Sequence, residues 1–137
     1  MITAGILGAA SFEHLGLSKN FYQARSKAVK EGKLIMLIVV NHKCKWCTKL
    51  SEGPLRDKKV KSLINDDFVP VVVNQATDKG LFPIEYQTTR VPSIFYIDPY
   101  SHELWTSIGY RTTKELIQDI KEAARAQIEE MTGVDRI

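Results

Sequence analysis

Apolar residues recur along this chain at two distinct spacings. Phe21, Ala24, Ala28 and Val29 fall at helical intervals, which predicts a helix over 20–31 with Ser18 as its N-cap and Gly32 placed to end it. Residues 34–40 (LIMLIVV) then run without a polar interruption. A continuous, partly β-branched run of this length suits a strand buried on both faces, as at the centre of a parallel or mixed sheet. Residues 41–43 form the loop leaving that strand, Cys44 begins the next helix, and Gly53-Pro54 breaks or kinks it. Asp57 caps a further helical piece over 58–65, with Val60, Leu63 and Ile64 facing inward. Residues 68–73 (FVPVVV) read as the next strand, and Pro70 places it at an edge or a strand start. A short helix is expected over 81–87. Residues 93–97 and 103–108 flank the turn-rich 98–101 and read as a hairpin. Thr112 and Glu115 make a capping box that opens a long amphipathic helix to about 131. Leu116, Ile117, Ile120, Ala124 and Ile128 mark its expected buried stripe, and Gly133 stands where a stop belongs. Strands separated by helices and followed by a hairpin predict an α/β protein, a three-layer α/β/α sandwich with a central mixed β-sheet.

Composition narrows the class. The 137 residues are 44% hydrophobic and 26% charged, the balance of an ordinary globular domain able to bury a core without staples. Two cysteines are too few for a disulfide framework. A formal net charge of +3, dispersed along the chain and without an RNA-binding aromatic motif, argues against nucleic acid as a partner. No stretch approaches the ~20 apolar residues that span a bilayer, so no membrane insertion is expected of this chain. Residues 1–10 are apolar but lack the basic start of a secretory signal. They suit either the remnant of a trimmed signal or a segment packing on the domain. Residues 1–17 are therefore set apart as an N-terminal extension, and 18–137 as the domain.

Both cysteines lie in one motif, Cys44-Lys45-Trp46-Cys47, directly after the apolar run. Thiols one helical turn apart can reach each other, so they can form and break a disulfide without remodelling the fold. With no further cysteine to join, the pair is either a redox couple or half a metal site. Structural zinc needs four ligands, whereas Cys44, Cys47 and His42 supply three, with His14 and His102 far off in sequence. A copper-type soft-metal site on the two sulfurs is chemically allowed. Covalent haem is disfavoured, because Thr48 stands where C-x-x-C-H needs histidine. Cysteine hydrolase chemistry from Cys44 and His42 lacks an orienting third group.

A buried strand, C-x-x-C at a helix start, and Arg90-Val91-Pro92-Ser93 before a strand and hairpin resemble the thioredoxin superfamily, over about 18–131. The helical segment leading from the motif helix to the strand at 68–73 is similar to that of small bacterial thioredoxin-like proteins. The resemblance implies a thioredoxin-like fold and a thiol–disulfide oxidoreductase that exchanges disulfides with protein substrates. Its direction as reductase, oxidase or isomerase is left open. Soft-metal binding, or a non-catalytic interaction module on the same fold, is the alternative. Cys44 would be the nucleophile, favoured as a thiolate by the helix N-terminus and by Lys43 and Lys45, and Cys47 would resolve the mixed disulfide. Pro92 would be cis against the cysteine pair, and Val91 would offer backbone groups to an extended substrate. Trp46 would give a partner an apolar contact or pack on its own domain. Gly109 matches a family glycine that lets the backbone approach this surface. Two departures stand out. Lys45-Trp46 replaces the Gly-Pro of thioredoxin's Trp-Cys-Gly-Pro-Cys, and Ile38 stands where thioredoxin buries a proton-accepting aspartate. His42 is a candidate proton relay or thiolate modulator in its place. No cofactor is implied. The expected partners are protein disulfides or dithiols and a redox partner protein, met by a monomer in the periplasm or another extracytoplasmic compartment, with the cytoplasm as alternative.

Overall fold

Alternation along one strand organises the molecule. The computed structural model describes Phe12 and residues 20–132. Strand β1 (Leu34–Val40) has every side chain buried, and successive side chains point to opposite faces of the sheet. Leu34, Met36, Ile38 and Val40 pack in one apolar cluster, Ile35, Leu37 and Val39 in the other. Full burial stabilises each such side chain by roughly 1.5–3 kcal/mol relative to exposure. A strand with no polar face requires cover on both sides, which the helices supply.

The sheet has four strands in the order β2-β1-β3-β4. β2 (Phe68–Asn74) runs parallel to β1, with Leu34 opposite Phe68. β3 (Ser93–Ile97) is antiparallel to β1, with Ile38 opposite Ile94, and β4 (Glu103–Ile108) completes the hairpin. The sheet is therefore mixed. Pro70 sits in β2, an edge strand, where a missing N–H donor is tolerated. Helix α1 (Phe21–Glu31) covers the face of Ile35, Leu37 and Val39 through Phe21, Ala24 and Ala28. Helices α2 (Lys45–Glu52), α3 (Lys58–Asp67) and α4 (Thr113–Thr132) bury Leu50, Val60, Ile64, Leu116 and Ile120 against the other face. Phe12 is buried in that second cluster, so a residue of the expected extension belongs to the core.

The caps differ from expectation at one end only. Asn20, not Ser18, caps α1, its side-chain oxygen accepting from the N–H groups of Tyr22 and Gln23. Ser18, Gly133 and residues 1–11 lie outside the described residues. Gly32 ends α1 at φ 67°, a left-handed position where a side chain is strained. Asp57 caps α3, and Thr112 and Glu115 exchange the reciprocal hydrogen bonds of a capping box. Residues 54–56 form a 3-10 turn after Gly53, so the chain breaks at Gly53-Pro54 as the sequence requires.

Three side-chain expectations are corrected. Val29 is 52% exposed, because it lies about 100° round the helix from Ala28. In α4 the buried stripe runs through Leu116, Asp119, Ile120 and Ala123. Ala124 is only partly buried and Ile128 is exposed, each lying about 80–120° round from Leu116. The expected helix over 81–87 is a 3-10 turn, Ile84–Tyr86.

Asp119 is the charged member of that stripe. Its carboxylate accepts from Arg111 Nε (2.8 Å) and Nη2 (3.0 Å) and from Trp105 Nε1 (3.1 Å), tying α4 to β4 and to the loop between them. Removing one partner of such a group leaves the others unpaired and desolvated. Asp119→Ala should cost about 2–4 kcal/mol in urea unfolding; a loss below about 0.5 kcal/mol, the scale of an ordinary surface substitution, would refute the tie. The hydroxyl of Tyr96 is fully buried without a hydrogen-bond partner among the described residues. Burial, with Asp119 nearby, pushes its pKa well above the ordinary 10.0. Because the folded value is the higher, its contribution is complete below pH 10 and is lost as pH rises beyond it. Tyr96→Phe should therefore flatten the alkaline fall in stability while changing stability at pH 7 by no more than about 1 kcal/mol. Unchanged alkaline unfolding profiles would refute it.

Candidate active site

One end of the sheet collects the site. The C-terminal ends of β1, β2 and β4 lie there with the start of β3, so the loops at 41–44, 75–80, 87–92 and 109–112 converge. Hydrogen bonds stitch these loops together. Gln75 N–H donates to Val40 O (3.0 Å), and the Gln75 side chain pairs both ways with the Thr88 backbone (2.6 and 3.0 Å). Gly109 N–H donates to Pro92 O (2.8 Å), and the Ser93 hydroxyl donates to Arg90 O (2.5 Å). Gly109 makes this approach at φ 94°, where a side chain would be strained.

Lys43 turns the chain from β1 into α2 in a left-handed conformation, φ 53°. A non-glycine residue there is uncommon, and such positions persist where surrounding structure fixes them. Cys44 is then the N-cap of α2, and its Sγ accepts from the N–H of Cys47 (3.1 Å). The two cysteines are joined as a disulfide, with Cα atoms 5.2 Å apart. They are not equivalent. Cys44 is partly exposed, whereas Cys47 is fully buried in the cluster that holds Ile38, Leu50 and Ile94.

The Val91–Pro92 peptide is cis. Pro92 is buried, and Val91 packs partly against both core clusters. Neither backbone group of Val91 makes a hydrogen bond among the described residues, although its neighbours Arg90 and Pro92 do. Trp46 is 48% exposed and tilts against Tyr110, with ring centroids 5.2 Å apart. Trp46, Tyr110, Val91, Arg90, Thr89 and Gly109 line a groove of about 490 Å³. A cleft of about 530 Å³ between α1 and α3 contains no thiol and lies at the other end of β2.

Among the expected site residues, Cys44, Cys47 and Val91 meet in one apolar cluster, Trp46 shares a groove with Val91, and Pro92 is buried next to Val91 in the chain. Lys43 and Lys45 are exposed beside Cys44. His42 is exposed and donates no hydrogen bond to either cysteine. No third metal-binding side chain groups with the two sulfurs among the described residues. The three side chains that do group, Asp98, His102 and Glu130, belong to the β3–β4 turn and the last turns of α4. Tyr110, Arg90, Lys49 and Gln75 are the site residues that sequence reasoning passed over. Lys49, three residues after Trp46, sits over its ring at 4.8 Å, a helical spacing that was legible. Tyr110 and Arg90 adjoin Gly109 and Val91 in sequence.

Fold and family agree. Residues 21–124 match the family described as thioredoxin-like domain, and the chain belongs to that family. Its fold is shared with a thioredoxin from Thermus thermophilus at 20% identity and TM-score 0.69, covering 77% of this chain and 84% of that one. A putative disulphide-isomerase from Bacteroides thetaiotaomicron matches at 22% identity and TM-score 0.67, covering 77% and 88%. The C-terminal domain of DsbD from Neisseria meningitidis matches at 16% identity and TM-score 0.60, covering 74% and 90%. No curated protein sequence matches the chain.

The unequal exposure of the cysteines has a direct consequence. After reduction, a small alkylating reagent should modify Cys44 at least about tenfold faster than Cys47, since reactivity follows thiolate character and access. Peptide mapping by mass spectrometry checks this, and equal labelling of the native protein would contradict the burial of Cys47.

Proposed function

We propose that this chain is a thiol–disulfide oxidoreductase acting on protein substrates. The observation that carries the proposal is a partly exposed Cys44 at the N-terminus of α2, disulfide-bonded to a buried Cys47 beside a Val91 whose backbone groups are unengaged. In the reduced protein, the Cys44 thiolate gains from the N–H of Cys47 and from the positive end of α2. It attacks one sulfur of a substrate disulfide. A Cys44–substrate bond forms, the substrate S–S bond breaks, and the leaving thiolate takes up a proton. Cys47, deprotonated, then attacks Cys44 and releases the second substrate thiol. The substrate gains two electrons and the Cys44–Cys47 pair loses them; a partner dithiol protein restores the pair. Run backward, the same steps oxidise a substrate dithiol.

Val91 offers an extended substrate one N–H and one C=O, a short strand addition that holds many sequences. In this reading residues 18–137, with Phe12 packed into the same core, act as the domain, as a monomer in an extracytoplasmic compartment.

Cys44→Ser should abolish reduction of a test disulfide, and Cys47→Ser should accumulate mixed disulfides resolved only by added thiol. Turnover by Cys44→Ser at the parent rate would sink the assignment. Stoichiometric metal retained by the reduced protein, found by elemental analysis, would favour a carrier instead.

A further inference from the structure

The sequence disperses its positive charge, but the fold does not. The loops that converge on the dithiol carry Lys43, Lys79 and Arg90, helix α2 adds Lys45 and Lys49, and none of these forms an ion pair among the described residues. Lys49 is held over Trp46, and Arg90 lines the groove beside Val91. Lys79 lines the adjoining cleft with Gln75 and Thr88. Arg111, also at this end, is neutralised by Asp119. Two acidic side chains adjoin, both engaged. Asp78 accepts from Asn74 N–H and the Thr77 hydroxyl, and Glu115 accepts from Thr112 N–H next to Lys114. Those hydrogen bonds leave both carboxylates charged, but the five unpaired cations outnumber them, so the end of the molecule bearing the cysteines is net positive.

We propose that the segment recognised here is acidic: an extended stretch of a partner protein whose reacting cysteine is flanked by Asp or Glu, with an apolar side chain laid against the face that Trp46 and Tyr110 form together. The proposal rests on the thiol-exchange reading and deepens it. Each part of the surface has a matching part in such a segment. Arg90 lines the groove beside Val91 and Lys45 follows Cys44 at the start of α2, so carboxylates flanking the bound cysteine have a cation to meet from each of these two segments. The Trp46–Tyr110 face takes an apolar group that would otherwise meet water. Val91 supplies backbone pairing in between. Unpaired charges around a site act mainly on encounter, raising association with an opposite-charged partner and suppressing a like-charged one.

The test uses the full chain, reduced and freed of reductant, with three disulfides. One is neutral bis(2-hydroxyethyl) disulfide. The others are two peptides, each closed by one disulfide and differing only in Glu or Lys beside the cysteines. At low salt the Glu peptide should be reduced about tenfold or more faster than the Lys peptide. The ratio should fall toward one near 1 M salt, where charges are screened beyond about 3 Å. In Lys45→Glu/Arg90→Glu, with each rate divided by that variant's own rate on the neutral disulfide, the ratio should move about tenfold toward the Lys peptide. Equal rates, or preference for the Lys peptide, while the neutral disulfide is turned over would overturn the acidic partner and leave thiol exchange standing. Failure to reduce even the neutral disulfide would overturn both.

Discussion

A strand buried on both faces sets what the rest of this chain can do. β1 has no side chain that reaches water, so it can only occupy the middle of a covered sheet, and the first polar residues after Val40 must leave at the sheet's end. Lys43 makes that exit in a left-handed turn and delivers Cys44 to the first cap position of α2. Leu50, on the next turn of the same helix, locks α2 down against Ile38 and Val40. The exposed position of Cys44 and the buried position of Cys47 are then consequences of helical geometry. With one turn between them, a helix anchored by Leu50 turns Cys47 inward and leaves its cap residue at the rim.

The same strand fixes the other half of the site. β3 pairs with β1 in antiparallel register, so its start at Ser93 lies level with the end of β1 at Val39. The segment before Ser93 must therefore pass beside the dithiol. Gly109 reaches Pro92 from the end of β4, and Gln75 reaches Thr88 from the end of β2. These bonds occupy the groups around Val91 and leave its own backbone unengaged. Four loops that share no sequence signal are held in one arrangement because each leaves the sheet at the same end.

Elements whose identity depends on local chemistry were legible in the residues. The LIMLIVV run, the Gly53-Pro54 break, the Thr112–Glu115 box and the hairpin all follow from pattern and turn residues, and the structure has them. What failed was angular detail. Counting Val29, Ala124 and Ile128 into buried stripes treats a helical face as wider than its contact with the sheet. Asp119 was missed for the opposite reason. A carboxylate reads as solvent-facing unless its partners are known, and Arg111 and Trp105 come from other elements. In the site, the cysteines, Trp46 and Val91-Pro92 were visible as a motif. Tyr110 and the basic rim needed the convergence of loops, which only tertiary structure supplies.

Under the proposed reading, Ile38 alters what thiol exchange demands of this site. A carboxylate beneath the dithiol could take a proton from Cys47 as it attacks, but burying that charge costs several kcal/mol unless it is paired. Ile38 avoids the cost and keeps β1 fully packed, with Cys47 in the same apolar cluster. Negative charge on sulfur must then be supported from above: by the N–H groups at the start of α2 and by the cations at the rim. The two supports differ in kind. Helix N–H groups are fixed and weakly screened, whereas Lys43 and Lys45 are exposed and lose influence as salt rises. A proton leaving Cys47 also has to go outward, toward the leaving substrate sulfur or water. Under the reading proposed here, exchange is thereby coupled to whatever covers the rim: a docked segment that excludes water removes one proton acceptor and supplies another in its own departing thiolate.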